Sequence, residues 1–397
     1  MQPSKKATKE MKTIDIFEKL VTFDTTSANP NLDLIEWCAG LIKDAGGAVT
    51  LIPDETGKKA NLYATIGPQG RAGVMLSGHT DVVPVAGQNW TKPPFELTLE
   101  DDKYFGRGTC DMKGFVAAAL AAGLDATTKK LNTPMHLAFS YDEEIGCIGV
   151  RSLVDMLADA PFKPAFCIVG EPTSMQVAVG HKGKMAAKAV MIGREGHSAL
   201  APMAVNAIYM AVDFINVLRE IQDRLAREGA QDDDYSVPYT TLHVGKINAG
   251  VALNIVPNRC EVLFEIRSLN EDNPDALMEE IRTRADEIVA RYQEVAPEVA
   301  IEIERTPNTY PGLATPEEAE VVQFVKSLLG ANDTMKVAFG TEGGLFSQKV
   351  GIPTVVCGPG SMEQGHKPDE FVSVDQLAKC DAMLANLVAR LEEGVAC

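Results

Sequence analysis

The sequence has no Cys-x-x-Cys pair, no internal repeat, no low-complexity tract and no apolar run approaching the roughly 20 residues that a membrane-spanning helix needs. Basic residues are scarce relative to acids: 37 Lys and Arg face 55 Asp and Glu, for a formal net charge of -18 and a pI of about 4.8. That balance disfavours nucleic acid or an anionic membrane as partner, because both would be repelled. The opening run "MQPSKKATKEMKTIDIF" carries lysines but no apolar stretch of the kind that marks a secretory leader, so a cytoplasmic location is expected. Eight cysteines (Cys38, Cys110, Cys147, Cys167, Cys260, Cys357, Cys380 and Cys397) are scattered along the chain and read as free thiols, mostly buried.

What is present is an ordinary globular composition, 45% hydrophobic and 23% charged. At 397 residues the chain is long for one core, since single cores stop growing near roughly 250–300 residues, and two domains are expected. The first part alternates apolar runs that read as strands ("NLYATIG", "GVMLSGHTD", "MHLAFSY", "AFCIVGEP") with helical patterns ("NPNLDLIEWCAGLIKDAGG", "FVAAALAAGLDATT", "GVRSLVDMLADA"). This predicts an α/β domain with a mostly parallel sheet covered by helices on both faces.

From Lys182 the pattern changes. Strands "KMAAKAVMIG", "TTLHVGKINAG", "RCEVLFEIRSL" and "VAIEIER" accompany two long helical patterns, one from Met203 to about Arg227 and one over "PDALMEEIRTRADEIVARYQEVA". They suggest a smaller α+β unit, an open-faced sandwich. After "TPNTYPGLATP" the first pattern returns with a helix over "EEAEVVQFVKSLLG", strands "MKVAFG" and "PTVVCGPG", and a closing helix from about Val374. The expected organisation is 1–181 and 308–397 as one domain with 182–307 inserted into it.

Candidate chemistry collects at strand ends, where open α/β sheets bind ligands. His79 and Asp81 in "SGHTD" lie on one side of an extended chain, and a carboxylate so placed can hold the second ring N–H of a metal-bound histidine. Asp111 sits among glycines in "GRGTCDMKG", Glu171 ends the strand of "IVGEPT", and His366 lies in the loop "GPGSMEQGHKPDE". In "HLAFSYDEEIG" the acids Asp142, Glu143 and Glu144 follow an apolar run, and strand-end alternation sends Glu143 and Glu144 into different surroundings. His79, Asp111, Glu144, Glu171 and His366 form an N/O donor set suited to zinc, cobalt or manganese, and five donors fit two ions if Asp111 bridges. Each residue alone reads more readily as a cap, a surface acid or a satisfied core histidine than as a ligand. The residues by themselves leave both the metal site and the scatter of strand-end acids open.

The run "GHTDVVPV…W…PPF…GRGTCDMKG", followed by "DEEIGCIG", "VGEPT", "GREGHSA" and "GPGS…QGHKPDE", resembles the di-zinc amidohydrolases and exopeptidases, over nearly the whole chain and in the same order. The resemblance implies one ion on His79, Asp111 and Glu171 and another on Asp111, Glu144 and His366, zinc or cobalt, with a water between them. It further implies Glu143 as general base, Asp81 orienting His79, and a cis peptide after Asp111. The inserted unit would be a lid and dimerisation domain, its His197 reaching the partner subunit's site to stabilise the oxyanion, with Asn254 and Arg267 binding a substrate carboxylate. Read without the resemblance, His197 is a turn residue. His136, His181 and His243 are assigned structural roles.

Within that family, "FDTTSANPNLDLIEW" and "FGTEGGLF" lean towards the branch that removes acetyl from N2-acetyl-L-ornithine. In the second run Thr341 and Glu342 are candidate substrate contacts, Glu342 as partner of the ornithine ammonium or, equally, as an acid at a helix N-terminus. Members of that branch often read Cys-Thr-Glu-Ala here, whereas this chain has Gly340, Thr341, Glu342, Gly343 and Gly344. The alternatives are another N-acyl-amino-acid hydrolase of the family (an aminoacylase, a succinyl-diaminopimelate desuccinylase or an exopeptidase) and, more distantly, a non-catalytic metal-binding protein. The expected partners are a small N-acyl amino acid and a second copy of the chain.

Overall fold

A computed structural model of the protein describes residues 11–395. Residues 1–10, with the lysine-bearing start, and Cys397 lie outside that range. The chain divides into two compact units, one formed by the chain up to His181 together with the chain from Leu313, the other by Lys182–Gly312.

The larger unit opens with α1 (Thr13–Val21), α2 (Leu32–Ala45), β1 (Ala48–Pro53), β2 (Ala60–Ile66) and β3 (Val74–His79). It continues through β4 (Thr98–Glu100), β5 (Lys103–Phe105), α3 (Gly114–Ala126), β6 (Met135–Ser140), α4 (Arg151–Asp159), β7 (Phe166–Val169) and β8 (Val177–His181). Helix α2 stops where the sequence places Gly46, whose φ of 99° suits a left-handed C-cap; its N–H returns to the Ile42 and Lys43 carbonyls.

The second unit holds β9 (Gly183–Ile192), β10 (Gly196–His197), α5 (Ala207–Glu228), β11 (Thr241–Ala249), β12 (Ile255–Val256), β13 (Arg259–Ser268), α6 (Pro274–Gln293) and β14 (Ala300–Arg305). Its four-stranded antiparallel sheet has the order β11-β13-β9-β14. The pairs Met191–Cys260, Ala189–Val262, Ala187–Phe264 and Met185–Ile266 share the face that Phe214 and Ile221 of α5 and Ile281 and Ile288 of α6 cover. Helix α5 begins at Ala207 rather than Met203, because Pro202 falls in a 3-10 turn over Ser198–Met203 and the Asn206 side chain caps the Ile208 N–H at 2.8 Å.

The larger unit resumes with β15 (Leu313–Ala314), α7 (Glu320–Leu329), β16 (Thr334–Val337), β17 (Thr354–Val356), β18 (Phe371–Ser373) and α8 (Val374–Glu393). Its sheet runs β1-β2-β6-β3-β7-β17-β8-β15, with β16 beside β8. The centre, β6-β3-β7-β17, is parallel, and antiparallel strands flank it. Leu76 of β3, Leu137 and Phe139 of β6 and Ile168 of β7 face the core shared with α1, α2, α3, α7 and α8. The alternate residues Ser77, Ala138, Ser140 and Cys167 are equally buried on the other face, which explains the unbroken apolar character of these strands. The fold is mixed α/β with helices over a largely parallel sheet core, as the patterning predicts.

The sequence reading passes over β8, which is buried throughout, and over β1, β4 and β5, which carry no fully buried position. Without a buried face a strand has no apolar periodicity to betray it.

Candidate metal centre

Strands β3, β6, β7 and β17 run parallel, so their carboxyl ends share one edge of the sheet. His79 is the last residue of β3, Glu143 and Glu144 follow β6, Glu171 follows β7, and His366 lies in the loop between β17 and β18. Asp111 sits on the bend between β5 and α3, with a cis peptide between it and Met112. The close approach of these ends needs glycine: a Cβ on Gly170 would stand 2.0 Å from the Phe115 ring, and one on Gly358 1.9 Å from the Gly170 carbonyl oxygen.

The donors converge. Asp111 Oδ1 is 2.9 Å from His79 Nε2, and Asp111 Oδ2 is 3.1 Å from His366 Nε2. Glu171 Oε1 lies 3.6 Å from His79 Nε2, while Glu144 Oε2 lies 3.1 Å from His366 Nε2. One aspartate therefore faces a histidine on each side, with Glu171 completing one group and Glu144 the other. Glu143 also brings a carboxylate oxygen into the group of His79 and Glu171. His79 Nδ1 is 2.9 Å from the Asp81 carbonyl oxygen, which fixes the proton of a neutral ring there and turns the Nε2 lone pair to the carboxylates. A lone pair and carboxylate oxygens at such distances repel one another unless a proton or a cation sits among them.

The electrostatics express the same crowding. Burial pushes the Glu143 carboxyl up to about 8, with Glu144, Glu342 and Asp81 adding to it against the pull of His79. Burial and Asp111 raise Glu144 to about 7, and burial with Asp111 lifts Glu171 well above the carboxylate range. Burial raises the Asp111 carboxyl too, but its hydrogen bonds to His366 and His79 outweigh that and hold it low. Burial opposes charge on His79, yet Asp111, Asp81 and Glu171 raise it well above the imidazole range. Its contacts with Asp111 and Glu144 take His366 to about 10. Buried acids in excess over imidazoles, all N/O donors, suit two divalent cations, and the donor set fits two ions with Asp111 between them.

Around the donors, Asp81 does more than face the histidine. Its carboxylate, 3.6 Å from His79 Nδ1, accepts the N–H groups of Glu143 at 3.0 Å and Glu144 at 3.3 Å and the Ser27 hydroxyl at 2.7 Å. It thereby pins the turn that bears both glutamates. Asp142, with φ of 54°, pairs with Lys59 at 2.5 Å and ties the turn to the start of β2. The Cys147 thiol lies 3.1 Å from Glu143 Oε1.

Thr341 and Glu342, the candidate substrate contacts, are enclosed by neighbouring side chains. Both are fully buried: Thr341 Oγ1 accepts the Gly343 N–H at 2.9 Å, and Glu342 accepts the Ser77 hydroxyl at 3.2 Å and the Ser140 hydroxyl on its other oxygen. Ser77 lies two residues before His79 on β3, and the Glu342 carboxylate is close enough to raise the Glu143 carboxyl. In the second unit, His197 is exposed and its Nδ1 accepts the Ala199 N–H at 3.1 Å, which leaves the proton of the neutral ring on Nε2. Asn254 is exposed, and its carbonyl accepts the Ser198 N–H at 3.0 Å. Arg267 is half-buried, its guanidinium 2.9 Å from both Glu265 Oε1 and the Tyr310 hydroxyl.

Sequence reasoning assigns nothing to Gln88, Arg107 and Glu370, which surround the Asp111 bend. Arg107 and Glu370 pair at 2.6 Å across 263 positions. Both stand inside the quoted motifs "GRG" and "PDE", yet nothing local announces that they meet.

Carboxylates and imidazoles on the carboxyl edge of a parallel sheet, with one carboxylate more than two ions require, define a metal-dependent hydrolase. The chain belongs to the peptidase family M20/M25/M40, whose profile matches residues 75–390. It is 33% identical over 382 residues to an acetylornithine deacetylase of Photorhabdus laumondii, covering 94% of this chain and 96% of that one. It is 35% identical over 376 residues to an acetylornithine deacetylase of Myxococcus xanthus, covering 94% and 95%. Among solved structures, an M20 family metallo-carboxypeptidase from Sulfolobus solfataricus superposes with a TM-score of 0.76 at 19% identity, over 96% of this chain and 100% of that one. A dinuclear metal binding peptidase of the M20 family from Bacillus subtilis gives 0.69 at 16%, over 98% and 100%. At such identities the structural likeness speaks for the fold alone.

Proposed function

We propose that the protein is a cytoplasmic amidohydrolase that removes the acetyl group from N2-acetyl-L-ornithine, releasing L-ornithine and acetate, with two zinc or cobalt ions. The observation that carries the reaction is the division of labour after β6: Glu144 contacts His366, while the adjacent Glu143 is buried, high in pKa and within reach of His79 and Glu171. The two relatives named acetylornithine deacetylase support the choice of substrate.

In this reading His79, Asp111 and Glu171 hold one ion and Asp111, Glu144 and His366 the other. When bound, the ions polarise the amide oxygen and bring the pKa of water down towards about 7. Glu143 takes the proton of the attacking water as the oxygen adds to the acetyl carbon. It then delivers that proton to the amine nitrogen as the C–N bond breaks. Asp81 keeps the turn in place, and the Cys147 thiol at Glu143 Oε1 leaves Oε2 for the proton. His197, acting in the partner subunit's site, stabilises the oxyanion, and Asn254 and Arg267 receive the substrate carboxylate.

The unit Lys182–Gly312 is read as the lid and dimerisation domain. Support comes from Val251 and Leu253, 87% and 102% exposed, beside exposed Ile247 and Ile255 near the end of edge strand β11. A Leu253→Asp variant is expected to sediment as a monomer where the wild type sediments as a dimer; a monomeric wild type at micromolar concentration ends the dimer reading.

The deciding assay measures amine release from Nα-acetyl-L-ornithine, N-acetyl-L-methionine and N-succinyl-diaminopimelate, with and without chelator. A chelator-sensitive preference for the first is expected. Better turnover of another substrate moves the protein to a neighbouring branch, and no turnover of any returns it to a metal-binding protein without catalysis. In Glu143→Gln, kcat is expected to fall by about 10²–10⁴-fold with metal content unchanged.

A further inference from the structure

The two histidines of the centre are held very differently. His79 is buried at the end of a central strand, whereas His366 has a ring 49% exposed and a φ of 59°, a left-handed conformation that a non-glycine residue adopts only at a cost. Something outside its own loop must fix its place. Glu370, in the same loop, is 1% exposed and pairs with Arg107, also 1% exposed, in the segment that leads to Asp111.

Both members reach the donors. Glu370 accepts the N–H groups of Asp111 at 3.0 Å, Cys110 at 2.8 Å and Gly108 at 3.1 Å, so it defines the bend from which Asp111 projects. Arg107 Nη2 donates to Gln88 Oε1 at 2.6 Å, and Gln88 Nε2 donates to the His366 carbonyl at 3.0 Å. The Trp90 indole lies 4.9 Å from the guanidinium and donates to the same Gln88 oxygen at 3.0 Å. A closed circuit thus runs from the Asp111 backbone through Glu370, Arg107 and Gln88 to the His366 backbone.

A buried ion pair contributes little to stability over an apolar pair of the same volume, since desolvation offsets its attraction; what it supplies is a fixed geometry. Here the geometry supplied is the spacing between Asp111 and His366. Glu171 and His79 stand at the ends of sheet strands and do not depend on this circuit.

We infer that Arg107, Glu370 and Gln88 are positioning residues for the group Asp111–Glu144–His366: cutting the link to His366 weakens one of the two metal ions and spares the other, whereas loosening the hold on Asp111, which both groups share, weakens both. This rests on the two-ion reading. Gln88→Ala cuts the link to His366 alone, and Arg107→Lys keeps the charge opposite Glu370 but lacks the fork that spans Glu370 and Gln88.

Zinc titration of the metal-free full-length protein by calorimetry, together with the visible spectrum of the cobalt form, tests it. In Gln88→Ala one equivalent is expected to bind within about threefold of wild type and the second about 10–100-fold more weakly, with altered absorption of the second cobalt only, whereas Arg107→Lys is expected to weaken both equivalents. Wild-type affinity for both equivalents in either variant, or equal weakening of both in Gln88→Ala, overturns the inference. If Arg107→Lys fails to fold, Gln88→Ala decides alone. A wild type that takes up a single ion removes the two-ion reading and the inference with it; a two-ion wild type with unaltered variants removes only the inference.

Discussion

Asp111 meets an imidazole on each of its two oxygens, and this is the arrangement that makes five donors into two groups. The donor residues could be picked out of the sequence because each ends or follows an apolar run with a group that has no business in a core. Glu342 is an acid of the same kind beside apolar strands, and its hydrogen-bond partners are the Ser77 and Ser140 hydroxyls. Substitution by Gln keeps an acceptor oxygen for one serine and offers the other an N–H to accept, so Glu342→Gln is expected to leave the ratio of acetylornithine to acetylmethionine turnover unchanged; a selective loss of the former would support the ammonium contact. His136, assigned to structure, has its Nδ1 3.0 Å from the Thr65 hydroxyl and stacks on Tyr63, and burial pushes its pKa down to about 4. The unfolded chain, near 6.5, takes up a proton between those values while the folded protein does not, so stability falls as the pH drops through that window. By pH 5 the loss from this residue reaches about 2 kcal/mol, and His136→Gln should show a correspondingly flatter loss between pH 7 and 5 in denaturant titrations.

At the scale of elements, the central strands and the long helices follow from the pattern of apolar residues, since the burial that holds them is written along the chain. Their ends are less legible. The start of α5 was decided by Pro202 and Asn206, and the role of Asp81 by the backbone N–H groups of a turn more than sixty positions away. Nor does an isolated glycine declare what it makes room for. At Gly170 the occupant is the Phe115 ring, which brings α3 hard against the end of β7 one residue before Glu171. Gly170→Ala forces that ring or the strand to move and is expected to cost about 1–3 kcal/mol of stability, measured by thermal or denaturant unfolding. Phe115→Leu in the same chain should return part of it, because a smaller side chain vacates the space.

For the whole molecule, the change of pattern at Lys182 and its reversal after "TPNTYPGLATP" marked the inserted unit in sequence, and two separate apolar cores occupy the two units. What the pattern could not carry is the pairing of loops, because a side chain on one loop holds no record of which distant loop it meets. The segment Lys182–Gly312 buries its own helices on its own sheet and lies in the size range of independent domains, so expressed alone it is expected to unfold cooperatively with native-like circular dichroism. Among the described residues no helix is long and apolar enough to cross a membrane.

Seven thiols, at Cys38, Cys110, Cys147, Cys167, Cys260, Cys357 and Cys380, are free and buried, and burial raises every one of them. A protonated, enclosed thiol reacts with an alkylating reagent only while its surroundings are open. Cys260 lies in the inserted unit and the other six in the larger one, so the protein carries a clock for each: the labelling rate of Cys260 times the opening of one core, and that of Cys38 or Cys380 times the opening of the other.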